Sequence, residues 1–464
     1  MTAQLCIHGH FYQPPRADPF TGEVPVEPDA APYANWNERI TAECYAPLAE
    51  AGLFGKISFN LGGTLARWLD ENAHVTYERI IAAERAYYRE HGVGNGLAQP
   101  VHHTILPLAR RRDKICQVRW GIASFVHRFG HRPLGMWLPE MAVDYETLEV
   151  LAAEGIRFTI LSEEQVRGDL ASGAGPYRVR LPGGREIGVF VRDRALSDAL
   201  SFGMPAPDRV DDWLREQVEW RARKGGLLLI ATDGETFGHH HRQGVEVLDR
   251  ILAGGGAHGY EVTTLGLYFR QHPPEADVEV VENTAWSCGH GLARWVVGCG
   301  CTPGDSRWKG ALRRALDNLA CDVDDVYVEE ARRLGVDPWE VRDAYIVVVL
   351  GKMDGPGFLA GQGLGRLRTG EGRRLLRLLE AQFYRQRMYL SCAFFFEDLD
   401  RHEPRYAIAN AARALDLVRQ ATGEDLSHRF RRDLGVAVSP RTGRTGAEMF
   451  DEIVHHHHVN HIST

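Results

Sequence analysis

The sequence contains no apolar run approaching the ~20 residues that a membrane-spanning helix requires. Its longest candidates, residues 227–231 and 345–350, have the length of a strand or a core segment. No basic stretch followed by a long apolar one opens the chain at Met1-Thr2-Ala3-Gln4, so no secretory signal is expected. Positive charge is also in deficit: 54 Lys and Arg stand against 62 Asp and Glu, a net charge of −8. That balance supplies no basic field for a phosphate backbone, which argues against a nucleic-acid partner. Cysteine is sparse, with eight in 464 residues, too few for a disulfide scaffold. The expectation is a cytoplasmic protein with reduced thiols, without a membrane or nucleic-acid partner. The Gly-rich stretch 351–365 reads as a loop and lacks the phosphate-binding-loop pattern, which argues against a nucleotide site there.

A chain of this length implies two or three domains, or one large barrel with an appendage. Up to about residue 270, short β-like runs alternate with helical patterns. The runs are residues 5–8, 56–60, 135–139, 158–161 and 227–232; helical periodicity marks 113–129, 145–153 and 210–221. Such alternation predicts a parallel sheet with helices outside it. Residues 177–181 and 187–191 flank Pro182-Gly183-Gly184 and read as a β-hairpin inserted in that scheme. Beyond 270 the pattern turns helical, over 307–319, 326–334, 339–350, 373–399 and 405–420. The histidines 455–458 read as a partial tag or a disordered end.

Polar residues cluster just after the β-like runs. His8 and His10 follow the first, Asn60 ends the second, Glu140 follows Trp137-Leu138-Pro139, and Asp233 ends the run before Gly234-Glu235. In parallel α/β architectures the site forms at the C-terminal strand ends, so these residues are expected to share one pocket. Two acids on strand ends suit glycoside hydrolysis, in which one carboxyl protonates the departing oxygen. The other attacks the anomeric carbon at ~5–5.5 Å separation, or activates water at ~6.5–9.5 Å. The blander readings are a surface glutamate at 140 and a turn-capping aspartate at 233, with Glu235 a near competitor. Trp137 beside Glu140 suits stacking on a sugar face.

His8, His10, Asp233 and the run His239-His240-His241 also supply enough ligands for zinc. That motivates a rival reading, a metal-dependent polysaccharide deacetylase or hydrolase. A third alternative is a non-catalytic carbohydrate-binding protein. Separately, Cys288-Gly289-His290 and Cys299-Gly300-Cys301 hold a tetrahedral set of ligands with one intervening residue in each pair. A structural metal site, a buried thiol cluster and a disulfide are the open alternatives there. Trp286 and Trp295 read either as sugar platforms from the second domain or as core aromatics.

Four ordered motifs resemble those of glycoside hydrolase family 57. They are His8-Gly9-His10-Phe11-Tyr12-Gln13-Pro14, Gly96-Leu97-Ala98-Gln99-Pro100-Val101-His102-His103, Gly135-Met136-Trp137-Leu138-Pro139-Glu140 and Thr232-Asp233-Gly234-Glu235-Thr236-Phe237-Gly238-His239. The first is longer than the plain His-Gln-His-Gln-Pro type. The resemblance implies an α/β fold, a (β/α)7 incomplete TIM-like barrel over residues 1–270. A mainly helical domain over 271–464 would pack on it and complete the substrate cleft. It implies a retaining α-glucan hydrolase of the α-amylase type, with Glu140 as nucleophile and Asp233 as acid/base, and no required metal or cofactor. A 4-α-glucanotransferase or branching enzyme would use the same residues. His8, His10, Gln13, His103, Trp137, Phe237, His239, Trp286 and Trp295 are then expected to contact an α-glucan or maltooligosaccharide.

Overall fold

The computed structural model describes residues 2–170 and 173–462. The chain forms two compact units. One comprises residues 1–15, 25–101 and 121–286; the other comprises 16–24, 102–120 and 287–464. The division expected at residue 270 therefore falls at 286, and the second unit also takes in two earlier segments.

The first unit is built on parallel strands whose residues are buried on both faces, in keeping with the unbroken apolar run of 227–232. Strand β1 (Ala3–Phe11) pairs with β2 (Ser58–Leu61), and β2 with β3 (Gly96–Leu97). The extended segment at residues 135–136 comes next. Trp137 N–H donates to Ala98 O at 2.8 Å, and Met136 N–H to Phe158 O at 3.1 Å. Strand β4 (Phe158–Ser162) follows and pairs in parallel with β5 (Glu186–Arg192). The ring closes on β6 (Leu227–Asp233), where Asp193 N–H donates to Leu229 O at 3.0 Å and Ala174 N–H to Leu227 O at 2.9 Å. β6 then pairs with β1 from Gln4↔Leu227 to His10↔Asp233. Six strands plus the 135–136 segment make seven staves, a (β/α)7 barrel. The helices Gly63–Asn72, Tyr145–Ala153, Arg194–Phe202 and Gly244–Ala253 follow individual staves.

The hairpin is more than an insertion. Its first arm, Tyr177–Arg180, is antiparallel to β5, but β5 itself is a barrel stave.

In the second unit, the expected helices 307–319 and 326–334 are one continuous helix, Trp308–Arg333. Helix His402–Thr422 buries Ile408, Ala411, Ala412, Leu415 and Val418, spaced mostly at three and four residues, and packs on Thr369–Arg387. It ends at Gly423, whose φ of 81° is the left-handed conformation that a glycine C-cap supplies without strain. Two expectations are corrected. The Gly-rich stretch contains a helix, Gly355–Gly361, because the Asp354 carboxylate caps it by accepting from Gly357 N–H at 2.8 Å. The histidine run continues the helix Gly446–Ile462. His457 stacks on Phe20 at 4.0 Å and meets Asp18 at 3.2 Å, contacts that a disordered tag would not make. Among the described residues, no helix is long and apolar enough to cross a membrane.

Candidate active site

Parallel register brings the strand-end residues of the first unit to one level. His10 lies opposite Asn60 on β2 and opposite Asp233 on β6. The Asn60 side chain binds both histidines: its Oδ1 lies 3.1 Å from His8 Nε2 and 3.1 Å from His10 Nδ1. Its Nδ2 donates to Gln99 Oε1 at 2.6 Å. The two imidazoles stack on Trp137, with ring centroids 5.1 and 4.7 Å away. Burial lowers the pKa of His8 to about 3 and of His10 to about 4, so both rings are neutral hydrogen-bonding groups at physiological pH.

Glu140 is delivered by a strained turn. Pro139 ends the extended stave, and Glu140 and Met141 both take left-handed conformations, φ 58° and 48°, that non-glycine residues seldom adopt. A second stretch of chain, residues 283–286, holds this turn in place. Asn283 N–H donates to Val143 O at 2.8 Å, Val143 N–H to Thr284 O at 3.2 Å, and Trp286 N–H to Glu140 O at 3.1 Å. The Trp286 indole N–H then donates to the Glu140 carboxylate, Nε1 to Oε2, at 3.2 Å. Trp286 stands edge-on to Trp137 at 5.2 Å, with the Arg192 guanidinium 5.1 Å over its ring. Trp286 thus belongs to the first unit, not to the helical part, and orients a carboxylate.

Asp233 ends β6 on the level of His10. It is accessible to solvent at the barrel mouth, yet protein crowds it closely. Burial first, and the negative charge of Glu140 second, raise its pKa to about 7, against the opposing pull of Arg192. Glu235 has other partners. It is buried, accepts from Tyr45 Oη at 2.5 Å and from Gln13 Nε2 at 3.4 Å, and is pushed to about 8 by burial and by Asp233. The charge that raises Asp233 is that of Glu140; the charge that raises Glu235 is that of Asp233. Gly234 between them is required sterically, since a Cβ there would lie 2.3 Å from the Phe11 ring.

His239 is tied to a different acid. Its Nδ1 meets Glu43 Oε2 at 2.6 Å, and Glu43 also pairs with Arg39 and Arg242. Gly238, at φ 131°, permits this approach, because a Cβ there would meet Glu43 O at 2.2 Å.

Three aromatic expectations are corrected. Trp137, Phe237 and Trp295 are 0%, 0% and 1% exposed, so none presents a face to a sugar. Trp137 is the shelf on which His8 and His10 stack, and Phe237 is core. Trp295 lies in the second unit, its Nε1 donating to Ser391 O at 3.2 Å. His103 is in that unit too, at φ 54°, with Nδ1 2.7 Å from Ser391 Oγ. The ligand set imagined for a metal-dependent deacetylase does not assemble. His8 and His10 are engaged by Asn60, and His239 by Glu43. Among the described residues, the one cluster with metal-ligand spacing is Cys288, His290, Cys299 and Cys301.

Arg192 and Tyr45 were not anticipated. Arg192 ends β5 as Asp233 ends β6, so the strand-end rule applied to residues 187–191 points to it. Tyr45 lies in an irregular helical turn, Thr41–Tyr45, with no comparable signal.

A family model described as glycosyl hydrolase family 57 matches residues 37–279, more than half of the chain. The chain belongs to glycosyl hydrolase family 57. A model described as a domain of unknown function, DUF3536, matches residues 305–463. Alpha-amylase 1 of Dictyoglomus thermophilum is 26% identical over 195 residues, 39% of this chain and 26% of that protein. The match thus spans about a quarter of that relative's length. Among solved structures, an exo-type maltose-forming amylase from Pyrococcus sp. ST04 superposes with a TM-score of 0.77 at 16% identity, covering 94% of this chain and 83% of that one. The family 57 branching enzyme of Pyrococcus horikoshii gives 0.59 at 15% identity, covering 98% and 94%. These likenesses are likenesses of fold. On the family 57 barrel, the first, third and fourth motifs lie on staves or just beyond their ends.

Proposed function

We propose that this protein is a retaining enzyme acting on α-glucans. The observation that carries the proposal is the pairing of Glu140, held by Trp286, with Asp233, an acid whose pKa burial and Glu140 raise to about 7. Glu140 attacks the anomeric carbon while the glycosidic C–O bond breaks. The departing oxygen takes the proton of Asp233, leaving a glycosyl ester on Glu140. In the second step the Asp233 carboxylate removes a proton from the acceptor. The acceptor displaces Glu140 from the face the leaving group occupied. Water as acceptor gives hydrolysis; a sugar hydroxyl gives chain transfer or branching. His10, level with Asp233, supplies a neutral hydrogen-bonding group for a sugar hydroxyl.

Incubation with single maltooligosaccharides tests the substrate class. Shorter products alone identify a hydrolase, and longer ones with shorter ones a transferase. New branch points identify a branching enzyme. No turnover of any α-glucan overturns the proposal.

The pH profile tests the acid. Asp233 must carry its proton in the first step, so activity falls as pH rises through its pKa. The alkaline limb of kcat/KM is expected to have its midpoint near pH 7, about the pKa of Asp233. Initial rates measured on both sides of neutrality check this.

Replacing Trp286 with phenylalanine keeps an aromatic ring and removes the donor to Glu140. A hydrogen bond to a charged acceptor contributes ~1.5–3 kcal/mol. Trp286→Phe is therefore expected to lower kcat about tenfold to a hundredfold with little change in KM, as read by steady-state kinetics.

A further inference from the structure

Three cysteines and a histidine in the second unit stand outside the proposed chemistry. They come from two short segments, Cys288-Gly289-His290 and Cys299-Gly300-Cys301. All four ligand atoms lie within 4.8 Å of one another. Cys288 Sγ is 3.6 Å from Cys299 Sγ and 3.9 Å from Cys301 Sγ, and His290 Nδ1 is 3.2 Å from Cys301 Sγ.

These distances exclude one alternative and fit another. A disulfide needs sulfurs ~2.05 Å apart, and these cysteines are unbridged. A zinc ion with bonds of ~2.3 Å to sulfur separates two tetrahedral thiolates by ~3.8 Å, a value between the two sulfur–sulfur distances. Thiols are weak hydrogen-bond donors, so without a metal little would draw three of them and an imidazole together. Three thiolates and one neutral imidazole are a soft, closed set of four. It has no open position for substrate or water, and zinc is the ion it suits.

The surroundings match the charge such a centre would carry. Zn²⁺ with three thiolates and a neutral imidazole has a net charge of about −1. The ammonium of Lys309, which is 0% exposed, lies within electrostatic reach of Cys288 and Cys299, and Arg294 is a further cation beside it. Lys309 Nζ also donates to Thr302 Oγ1 at 3.1 Å, just past the last ligand. Arg294, inside the loop, donates to Ser287 O at 3.0 Å and lies 4.3 Å over the Phe395 ring. A buried cation beside the thiolates is a favourable outer partner for an anionic metal centre.

We infer that Cys288, His290, Cys299 and Cys301 bind one structural zinc ion, which clasps the loop 288–301. Binding displaces the thiol protons, so affinity falls at low pH.

The test uses the full chain expressed with zinc in the medium. Elemental analysis is expected to find about one zinc per chain. Cys299→Ser should lower that content at least about tenfold, and so should His290→Ala, at an exposed position. His290→Cys should restore binding through a fourth thiolate. Reconstitution with Co²⁺ alone should give the intense visible bands of a tetrahedral thiolate site. With zinc withdrawn by a thiol-modifying reagent, trypsin should cut at Arg294, which is 6% exposed in the closed loop. Glu140→Gln should keep its zinc, which separates this inference from the catalytic reading. Protein carrying no zinc, a bridge between Cys299 and Cys301, or iron in place of zinc would overturn the inference.

Discussion

Replacing Glu140 by alanine is expected to lower kcat on α-glucans on the order of 10⁴-fold or more, about 5–6 kcal/mol of barrier. The expectation follows from the turn that carries it. A residue held at φ 58°, and bonded to Trp286 through both its carbonyl and its carboxylate, is aimed at one point. No neighbouring acid can replace it. In the proposed mechanism Asp233 serves as the acid, and Glu235 is tied to Tyr45 and Gln13. Azide distinguishes the two acids. In Glu140→Ala, azide can occupy the space of the missing carboxylate and attack the anomeric carbon from its side. An α-linked donor then yields a β-glycosyl azide. In Asp233→Ala, given an α-glycosyl fluoride that leaves without a proton, azide replaces water in the second step and yields the α-glycosyl azide. Product anomers read by NMR check both assignments at once. Residual activity above about 1% in Glu140→Ala, ~2.7 kcal/mol or less of added barrier, would remove Glu140 from the nucleophile's role.

The strand-end positions of Glu140 and Asp233 were legible because a strand's end is written locally. A buried apolar run such as 227–232 has one direction and one end, and whatever follows it sits at the mouth. The same logic places His10 and Asn60 together, and it finds Arg192 once the second arm of the hairpin is read as a stave. What was not legible was which face an aromatic presents. Trp137, Phe237 and Trp295 are the same residues whether they stack on a sugar or fill a core, and burial alone decides. Trp286 stood out in the sequence, but its bond to Glu140 joins residues 146 positions apart, and no local pattern encodes such a pairing. Charged helix residues were equally silent. Asp113, Arg342 and Arg385 sit in helices where charges usually face water, and these three do not.

Removing the Asp113 carboxylate is expected to destabilise the second unit by ~3–5 kcal/mol, the cost of leaving a buried charge without its partner. Asp113 Oδ1 accepts from Arg342 Nη1 at 2.7 Å and its Oδ2 from Arg385 Nη1 at 2.7 Å. Arg385 Nη2 donates to Asp324 Oδ2, also at 2.7 Å. Asp113, Arg342, Arg385 and Asp324 are 6%, 0%, 2% and 2% exposed, and at the edge of the network Arg110 and Arg112 also pair with Asp324 and Asp343 lies beside Arg342. Asp113→Asn removes the carboxylate that the buried Arg342 and Arg385 share, where water cannot replace it. Burial pushes the Asp113 carboxyl up, but Arg385 and Arg342 together prevail and hold its pKa at about 2, below its ordinary 3.8. A depressed carboxyl pKa stabilises the fold above the unfolded value and stops doing so as pH falls through the folded one. The advantage of the native protein over Asp113→Asn should therefore be full at pH 6 and shrink between about pH 4 and pH 2. Amide hydrogen exchange in helix Thr369–Arg387 measures it, with protection at pH 6 expected to fall by roughly two to three and a half orders of magnitude. Replacing Asp113 and Arg342 together by apolar residues should cost less than the sum of the single changes, because the pair removes its own imbalance. Additive losses would mean that the two side chains hold the unit by separate contacts and not by mutual neutralisation.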